Sequence, residues 1–509
     1  MVSLSESQNL ASVFNHFQTC LDRSTHSRIS SHLRTSNMTG PTTKQAFQSQ
    51  SIGHWLPKDR KMISQWVSQK ARQALQSPGK GLGKLPSLGP GLPSAGSGIP
   101  YLDSSLTEFA ELVINSPHLF MLGNNMFTEA SNHYPKDPAG NCAIKSFNEF
   151  ISVLSLVVQS GPEFVDKTDP PTAMGLIGFP INAILDWPMG TESGYQFFRN
   201  PEVNLALGKV LSTWGEFLGS LASQACLDGW LSSDALEMIA AKGNNGKTDY
   251  TFQELFKCSP SEKHFGFKSW DEFFVRQFRD GVRPVEAPDN GVPDLKFPDP
   301  TLVITNACES APLKIQTDVK ESDKFWLKEQ PYSLENMLNY DPLVPQFAGG
   351  TVYQAFLSAL SYHRWHSPVS GKIERIEHVP GTYYSENWYE GVAGAENPDQ
   401  ADPAAPNYSQ PYISSVATRM IMFIQADNPK IGLMSIVFIG MAEVSSCEAV
   451  VKPGDKVEKG QELGMFHFGG SSHCLVFRPE VNIKMVNPGP WDMDHETNFP
   501  VNSALAVVV

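Results

Sequence analysis

The sequence predicts an α+β protein, with a helical N-terminal domain followed by a β-rich domain. Three observations carry that expectation. From Tyr101 to about Ala240, apolar residues recur at helical spacing. Beyond Pro300 the apolar runs shorten and are bounded by turn residues, as strands are. Between them a short Lys268–Arg279 stretch and a Pro-rich run to Pro300 punctuate the change. The expected division is a tail over 1–52, a helical domain over 53–255 with a Gly/Pro linker at 77–100, and a β-rich domain over 256–509.

Taken in order, the first fifty residues are rich in Ser, Thr, Gln and Asn. Arg23, Arg28 and Arg34 give them a trace of transit-peptide character, but no amphipathic stripe is sustained, so they read as a disordered tail. Pro57–Gln76 reads as a helix with Ile63, Trp66 and Val67 on one face. Ser146 and Glu149 form a capping-box pattern ahead of Phe147, Phe150, Ile151 and Leu154. Asn200-Pro201-Glu202 combines a cap, a first-turn proline and an acid at the positive end of the helix dipole. The helix it opens carries Val203, Leu207, Val210, Leu211, Trp214, Phe217, Leu218 and Leu221 on one stripe, a core pattern with no catalytic constellation. Ser269 and Glu272 then cap an amphipathic helical stretch reaching Arg279.

In the β-rich half, Leu302–Thr305, Gly350–Leu357, Met420–Gln425 and Leu433–Gly440 read as strands. Val451–Gly464 reads as a hairpin of the kind found in biotinyl and lipoyl carriers, without their lysine motif, and suggests a barrel or sandwich. Composition narrows the function. A net charge of -14 argues against nucleic-acid and anionic-membrane partners. No apolar run reaches the ~20 residues of a membrane span. The seven scattered cysteines, with no CxxC pair, suggest reduced thiols and a cytoplasmic setting.

The chemistry gathers at Gly464–Cys474, where Gly469-Gly470-Ser471-Ser472 separates two apolar runs. One reading is a turn or bulge. The other is a peptide bond built to break, with the Ser471 hydroxyl attacking the Gly470 carbonyl to leave a pyruvoyl group at position 471. His363 and His366 are three apart around Arg364; as a pair they could be structural or metal ligands, though no further ligand stands at a familiar spacing. Ser471, His366 and Glu309 together supply a nucleophile, a base and a group to orient that base.

Glu272–Arg276, Tyr362–Pro368, Val379-Pro380-Gly381 and Phe466–Ser472 occur in the order found in phosphatidylserine decarboxylases, which the chain resembles over about 265–509. The resemblance extends to a fungal branch of that family whose members decarboxylate L-tryptophan, and there it covers most of the chain after about residue 53. It implies a phosphatidylserine-decarboxylase-like catalytic domain and self-cleavage between Gly470 and Ser471. The small subunit 471–509 is then expected to stay bound to 1–470. It also implies a covalent pyruvoyl cofactor made from Ser471, no metal, and an amino-acid substrate. By the same resemblance Ser471, His366 and Glu309 form the processing triad, with Glu309 where the family has Asp and Ser310 where glycine is usual. His363 matches the histidine of the decarboxylation step. Trp365, Tyr383 and Tyr384 are the expected substrate-binding side chains. Decarboxylation of phosphatidylserine or another amino acid, and a carrier or binding module that never cleaves, are the alternatives.

Overall fold

The helices begin where the caps predict. Ser146 accepts a hydrogen bond from Glu149 N at 3.2 Å, and the Glu149 carboxylate accepts from Lys145 N at 2.8 Å, opening Phe147–Val157. Asn200 Oδ1 accepts from both Glu202 N and Val203 N, opening Pro201–Gly219. That helix buries Val203, Leu207, Val210, Trp214 and Leu218. Leu221 does not join them and is 73% exposed, because the helix stops at Gly219 and a 3-10 turn over Leu221–Cys226 breaks the stripe. These features belong to the computed structural model, which describes residues 60–76, 103–133, 144–164, 176–323, 332–387, 409–443, 446–489, 491 and 497–509. The expected tail at 1–52 and linker at 77–100 lie outside the described residues. Arg60–Gln76 is helical, with Ile63, Trp66 and Val67 buried as its periodicity requires.

The stretch expected as one helix over 268–279 is shorter. Ser269 caps Trp270–Phe274, and the chain then straightens so that Phe278 bridges Phe256. Arg276, two residues beyond the helix end, turns inward, its guanidinium donating to Leu360 O and Ser361 O at 2.8 and 3.1 Å.

The β-rich half is built on an open antiparallel sheet of seven strands, not a barrel. Its order is Lys456–Val457, Gly371–Val379, Arg419–Ala426, Leu433–Met441, Gly470–Phe477, Gly350–Leu357 and Ala311–Val319. Two three-stranded sheets flank it: Cys447–Ala449, Glu462–Phe466 and Arg364–His366; and Ile483–Met485, Ala504–Val508 and Val303–Thr305. The segment expected as a hairpin, 451–464, therefore feeds two different sheets. Lys456–Val457 pairs with Gly371-Lys372, whereas Glu462–Phe466 pairs with Cys447–Ala449 and Arg364–His366.

Gly470–Phe477 lies inside the large sheet, paired along its length with Leu433–Met441 and Gly350–Leu357. Leu475 and Phe477 point into the apolar core that runs on into the helices, while Cys474 and Val476 point into a second core. Both faces are buried, which is why the segment reads as a continuous apolar run and not as an alternating one. By the same alternation Ser471 and His473 lie on the face toward the helices.

Candidate active site

The strand carrying Ser471 starts only three residues after a strand of a different sheet, so 467–469 must carry the chain across the gap. Each of the three is fixed differently. His467 Nδ1 meets Asp271 Oδ2 at 2.9 Å and its Nε2 meets Glu448 Oε2 at 2.7 Å. Burial works against the protonated ring, but the two carboxylates outweigh it and lift its pKa above the usual value. Phe468 packs edge-on against Trp270 at 4.6 Å, Trp214 at 4.8 Å and Phe274 at 5.8 Å. Gly469 has φ +121°, a conformation open to glycine and strained for other residues. Gly470 then enters the sheet opposite Met441, and Ser471 lies between Gly440 and Leu357. Ser471 Oγ is buried and makes no hydrogen bond. Of these grips, Trp214 comes from the helical domain expected to be accessory, while Asp271, Trp270 and Phe274 come from the short helix Trp270–Phe274.

The three residues matched to a processing triad are not joined by hydrogen bonds. Glu309 was expected to orient His366; its carboxylate is instead fully occupied elsewhere. Arg283 donates to it from Nε at 2.9 Å and from Nη2 at 2.7 Å, Asn245 Nδ2 at 2.7 Å and Val501 N at 2.9 Å. A bidentate guanidinium and two further donors use the acceptor positions of the carboxylate, leaving none for an imidazole. His366 is oriented by Gly460 O, 2.7 Å from Nδ1, so Nδ1 carries the proton, and Nε2 accepts from Tyr362 Oη at 3.0 Å. Burial, the largest influence, lowers the His366 pKa, so the ring is a neutral acceptor. The backbone does bring the pair close, because His366 N donates to Ala307 O at 2.8 Å.

His363 is fully buried and stacks on Phe274 with centroids 4.0 Å apart. Its carbonyl accepts from Phe466 N at 2.9 Å, which sets it nearer than His366 to the end of the strand that runs on toward Gly470. Burial, reinforced by Arg276, holds its pKa well below normal. Trp365, expected against substrate, is a core ring: it stacks on Phe438 at 3.8 Å and 9°, and a Cβ on Gly464 would come within 2.9 Å of it. His473 shares a strand face with Ser471. It is completely buried, neither ring nitrogen has a hydrogen-bond partner, and burial pushes its pKa down to about 3. Among the described residues no three His, Cys, Asp or Glu side chains gather as metal ligands.

Tyr383 and Tyr384 line a narrow cleft whose other walls are both apolar (Met189, Ile413, Met441) and polar (Asn182, Ser385, Glu386). Its Met441 wall is the cross-strand neighbour of Gly470, although Gly470 and Ser471 are not among its lining residues. Asn182 and Met189 come from the helix Pro180–Met189, and Asn204 Oδ1 holds Tyr383 N at 3.2 Å. Next to this wall stands Glu443, a residue the sequence reading missed. Its signal was a single acid directly after the apolar run Leu433–Ala442.

A family profile described as phosphatidylserine decarboxylase matches residues 270–490, and a second so described matches 103–239. Decarboxylase iboD of Amanita muscaria is 43% identical over 65% of this chain and 91% of its own length. L-tryptophan decarboxylase of Psilocybe cubensis is 38% identical over 67% of this chain and 75% of its own length. Phosphatidylserine decarboxylase proenzyme 3 of Schizosaccharomyces pombe is 30% identical over 42% of this chain and 19% of its own.

Proposed function

Because the chain belongs to the phosphatidylserine decarboxylase family and is a carboxy-lyase, we propose that it is a self-cleaving, pyruvoyl-dependent decarboxylase of aromatic L-amino acids, tryptophan first. The observation that carries the self-cleavage is the Ser471 hydroxyl, buried without a partner two residues after Gly469 at positive φ and three after a gripped Phe468. A satisfied serine would support a turn; an unsatisfied one next to the carbonyl of Gly470 is a nucleophile held ready.

Ser471 Oγ attacks the Gly470 carbonyl, the C–N bond breaks, and the chain is joined through an ester. Removal of the Ser471 α-proton then expels the Gly470 carboxylate, and hydrolysis of the dehydroalanine releases ammonia. His366 is the base the resemblance implies, with Nε2 its accepting nitrogen once Tyr362 is exchanged for the serine hydroxyl. Glu309 acts one step back, tying Arg283, Asn245 and Val501 together around the loop on which His366 rests.

The residues present fit a pyruvoyl group at 471: the position follows glycine, faces Gly440 and keeps no competing hydrogen bond. Such a group supplies a ketone that takes the substrate amine and an electron sink as carbon dioxide leaves. The protein holds that position in register from both sides through the strands 433–441 and 350–357. The strand 470–477, the strand Ala504–Val508 paired to Val303–Thr305, and the Glu309–Val501 contact keep 471–509 attached after cleavage. His363 lies in a water-excluding aromatic wall, a setting for moving a proton at the substrate α-carbon.

Tryptophan is supported by the name of the Psilocybe cubensis relative, and by Tyr383 and Tyr384 lining a cleft whose Met441 wall pairs across the sheet with Gly470. Intact mass and carbon dioxide release test both parts. A fragment beginning at a blocked position 471, with tryptamine formed from tryptophan, is the expected result. An uncut but fully active protein overturns the cleavage, and activity on phosphatidylserine with none on aromatic amino acids overturns the substrate.

A further inference from the structure

Ser471 and Ser472 are neighbours in one strand, and the pleat turns their side chains to opposite faces of the sheet. Both are buried, yet their hydroxyls differ. Ser471 Oγ has no hydrogen-bond partner, whereas Ser472 Oγ accepts from Gln354 Nε2 at 3.2 Å. Gln354 lies on the adjacent strand Gly350–Leu357, opposite Cys474, and so reaches Ser472 diagonally across the pair. Its amide is held at both ends. Oε1 accepts from Tyr332 Oη at 2.7 Å, and Nε2 also donates to Gln410 Oε1 at 3.4 Å. Gln410 Nε2 in turn donates to Met441 Sδ at 3.3 Å, and Met441 is the cross-strand neighbour of Gly470. One buried polar chain therefore touches both the residue after Ser471 and the residue beside Gly470. It runs through the second core, among Val352, Ile439, Cys474 and Val476. Amides and a phenol buried there cost free energy that apolar side chains of the same size would avoid. Packing that core does not require them; a hydroxyl that has to be held does.

We propose that Gln354 is a positioning residue for self-cleavage: by holding the Ser472 hydroxyl on the far face, it fixes the peptide that follows Ser471 and leaves Ser471 as the free hydroxyl of the two. This rests on the reading of the chain as self-cleaving. Attack by Ser471 closes a small ring through Oγ, Cβ, Cα, N and the Gly470 carbonyl carbon. Its geometry depends on the backbone torsions at 471, which an anchored residue 472 limits. Gln354 takes no proton and acts only through Ser472. Once the Gly470–Ser471 C–N bond has broken, the same hydrogen bond holds the new terminus one residue from position 471.

The test follows cleavage of the freshly translated full chain on denaturing gels, with intact mass locating the cut at 471. Ser472→Thr and Ser472→Val share a shape and differ by the hydroxyl. The Thr variant is expected to cleave about 10–10²-fold faster than the Val variant, the range by which a small misplacement slows a reaction. A hydroxyl with a merely structural role would lower the melting temperature of the Val variant and leave the two cleavage rates equal, which overturns the proposal. Gln354→Met, equally long but without the amide, should slow cleavage by a similar factor, and adding it to Ser472→Val should slow it no further. Effects that multiply in the double variant overturn a role exerted through Ser472. Should Gln354→Met fail to fold, the Thr and Val variants decide alone. A wild-type fragment that begins at 472 shows the other serine reacting and overturns the proposal. A wild type that stays whole overturns the self-cleavage reading, and this inference with it.

Discussion

Glu309 and Ser471 are both buried polar side chains in the β-rich half, yet they are buried on opposite terms. Around Glu309 every polar demand is met: Arg283, Asn245 and Val501 N fill the carboxylate, and nearby His366 spends both nitrogens on Gly460 and Tyr362. Around Ser471 the demands are left open, with the serine hydroxyl and both nitrogens of His473 unpartnered on one strand face. A satisfied cluster contributes to holding the chain together. An unsatisfied one costs stability, and sites of chemistry are where such a cost persists. The difference separates residues that build the site from those that react in it, although sequence alone had grouped Glu309, His366 and Ser471 together.

The comparison is broken most directly at Ser471. Ser471→Ala is expected to fold, stay whole and lose all decarboxylation, because no hydroxyl remains to attack; a cleaved Ser471→Ala chain by intact mass would end the distinction. His366 stands on the boundary. As the base, its loss in His366→Ala slows cleavage by about 10²–10⁴-fold in a time course on denaturing gels. If it only completes the satisfied cluster, cleavage keeps its rate and the melting temperature falls.

Glu309→Ala should act through stability, leaving Arg283 buried and unpaired at a cost of about 3–5 kcal/mol in denaturant unfolding. Arg283 is 11% exposed at its side chain and Glu309 1%, so solvent screens the pair little. Loss of cleavage in a Glu309→Gln protein of unchanged stability would move Glu309 to the reactive side.

The smallest effect is in pH dependence, with opposite signs at two buried groups. Burial lowers His473 to about 3, so its stabilising neutral form is complete above the ordinary value near 6.5 and is lost as pH falls toward 3. Burial raises Glu443 to about 8, so its protonated form stabilises fully below 4.5 and that contribution is lost as pH rises through 8. His473→Leu should therefore flatten the acid limb of a melting-temperature profile and Glu443→Gln the alkaline limb. A profile unchanged in both variants would show that neither group titrates with folding.

What the sequence determined by itself is local. Caps at Ser146, Asn200 and Ser269 rest on hydrogen bonds within four residues, and the strands rest on apolar runs that need burial whatever the partner. The Gly-Gly-Ser-Ser interruption was legible for the same reason, since a glycine at φ +121° is a demand of its own backbone. The length of the helix after Ser269 was not: the chain leaves the helix at Phe274, and Arg276 just beyond it is held by carbonyls 84 and 85 residues away, which no local pattern announces. Pairing likewise escaped the sequence: Val451–Gly464 has the local signs of a hairpin, but Lys456–Val457 and Glu462–Phe466 find their partners in different sheets, on segments distant in the chain. Only the tertiary structure decided that Trp365 is core, that Glu309 answers to Arg283, and that Trp214 and Trp270 grip Phe468. Those outcomes depend on which distant groups arrive beside one another, and a side chain's identity does not say whether its partner will be a carbonyl, a guanidinium or nothing.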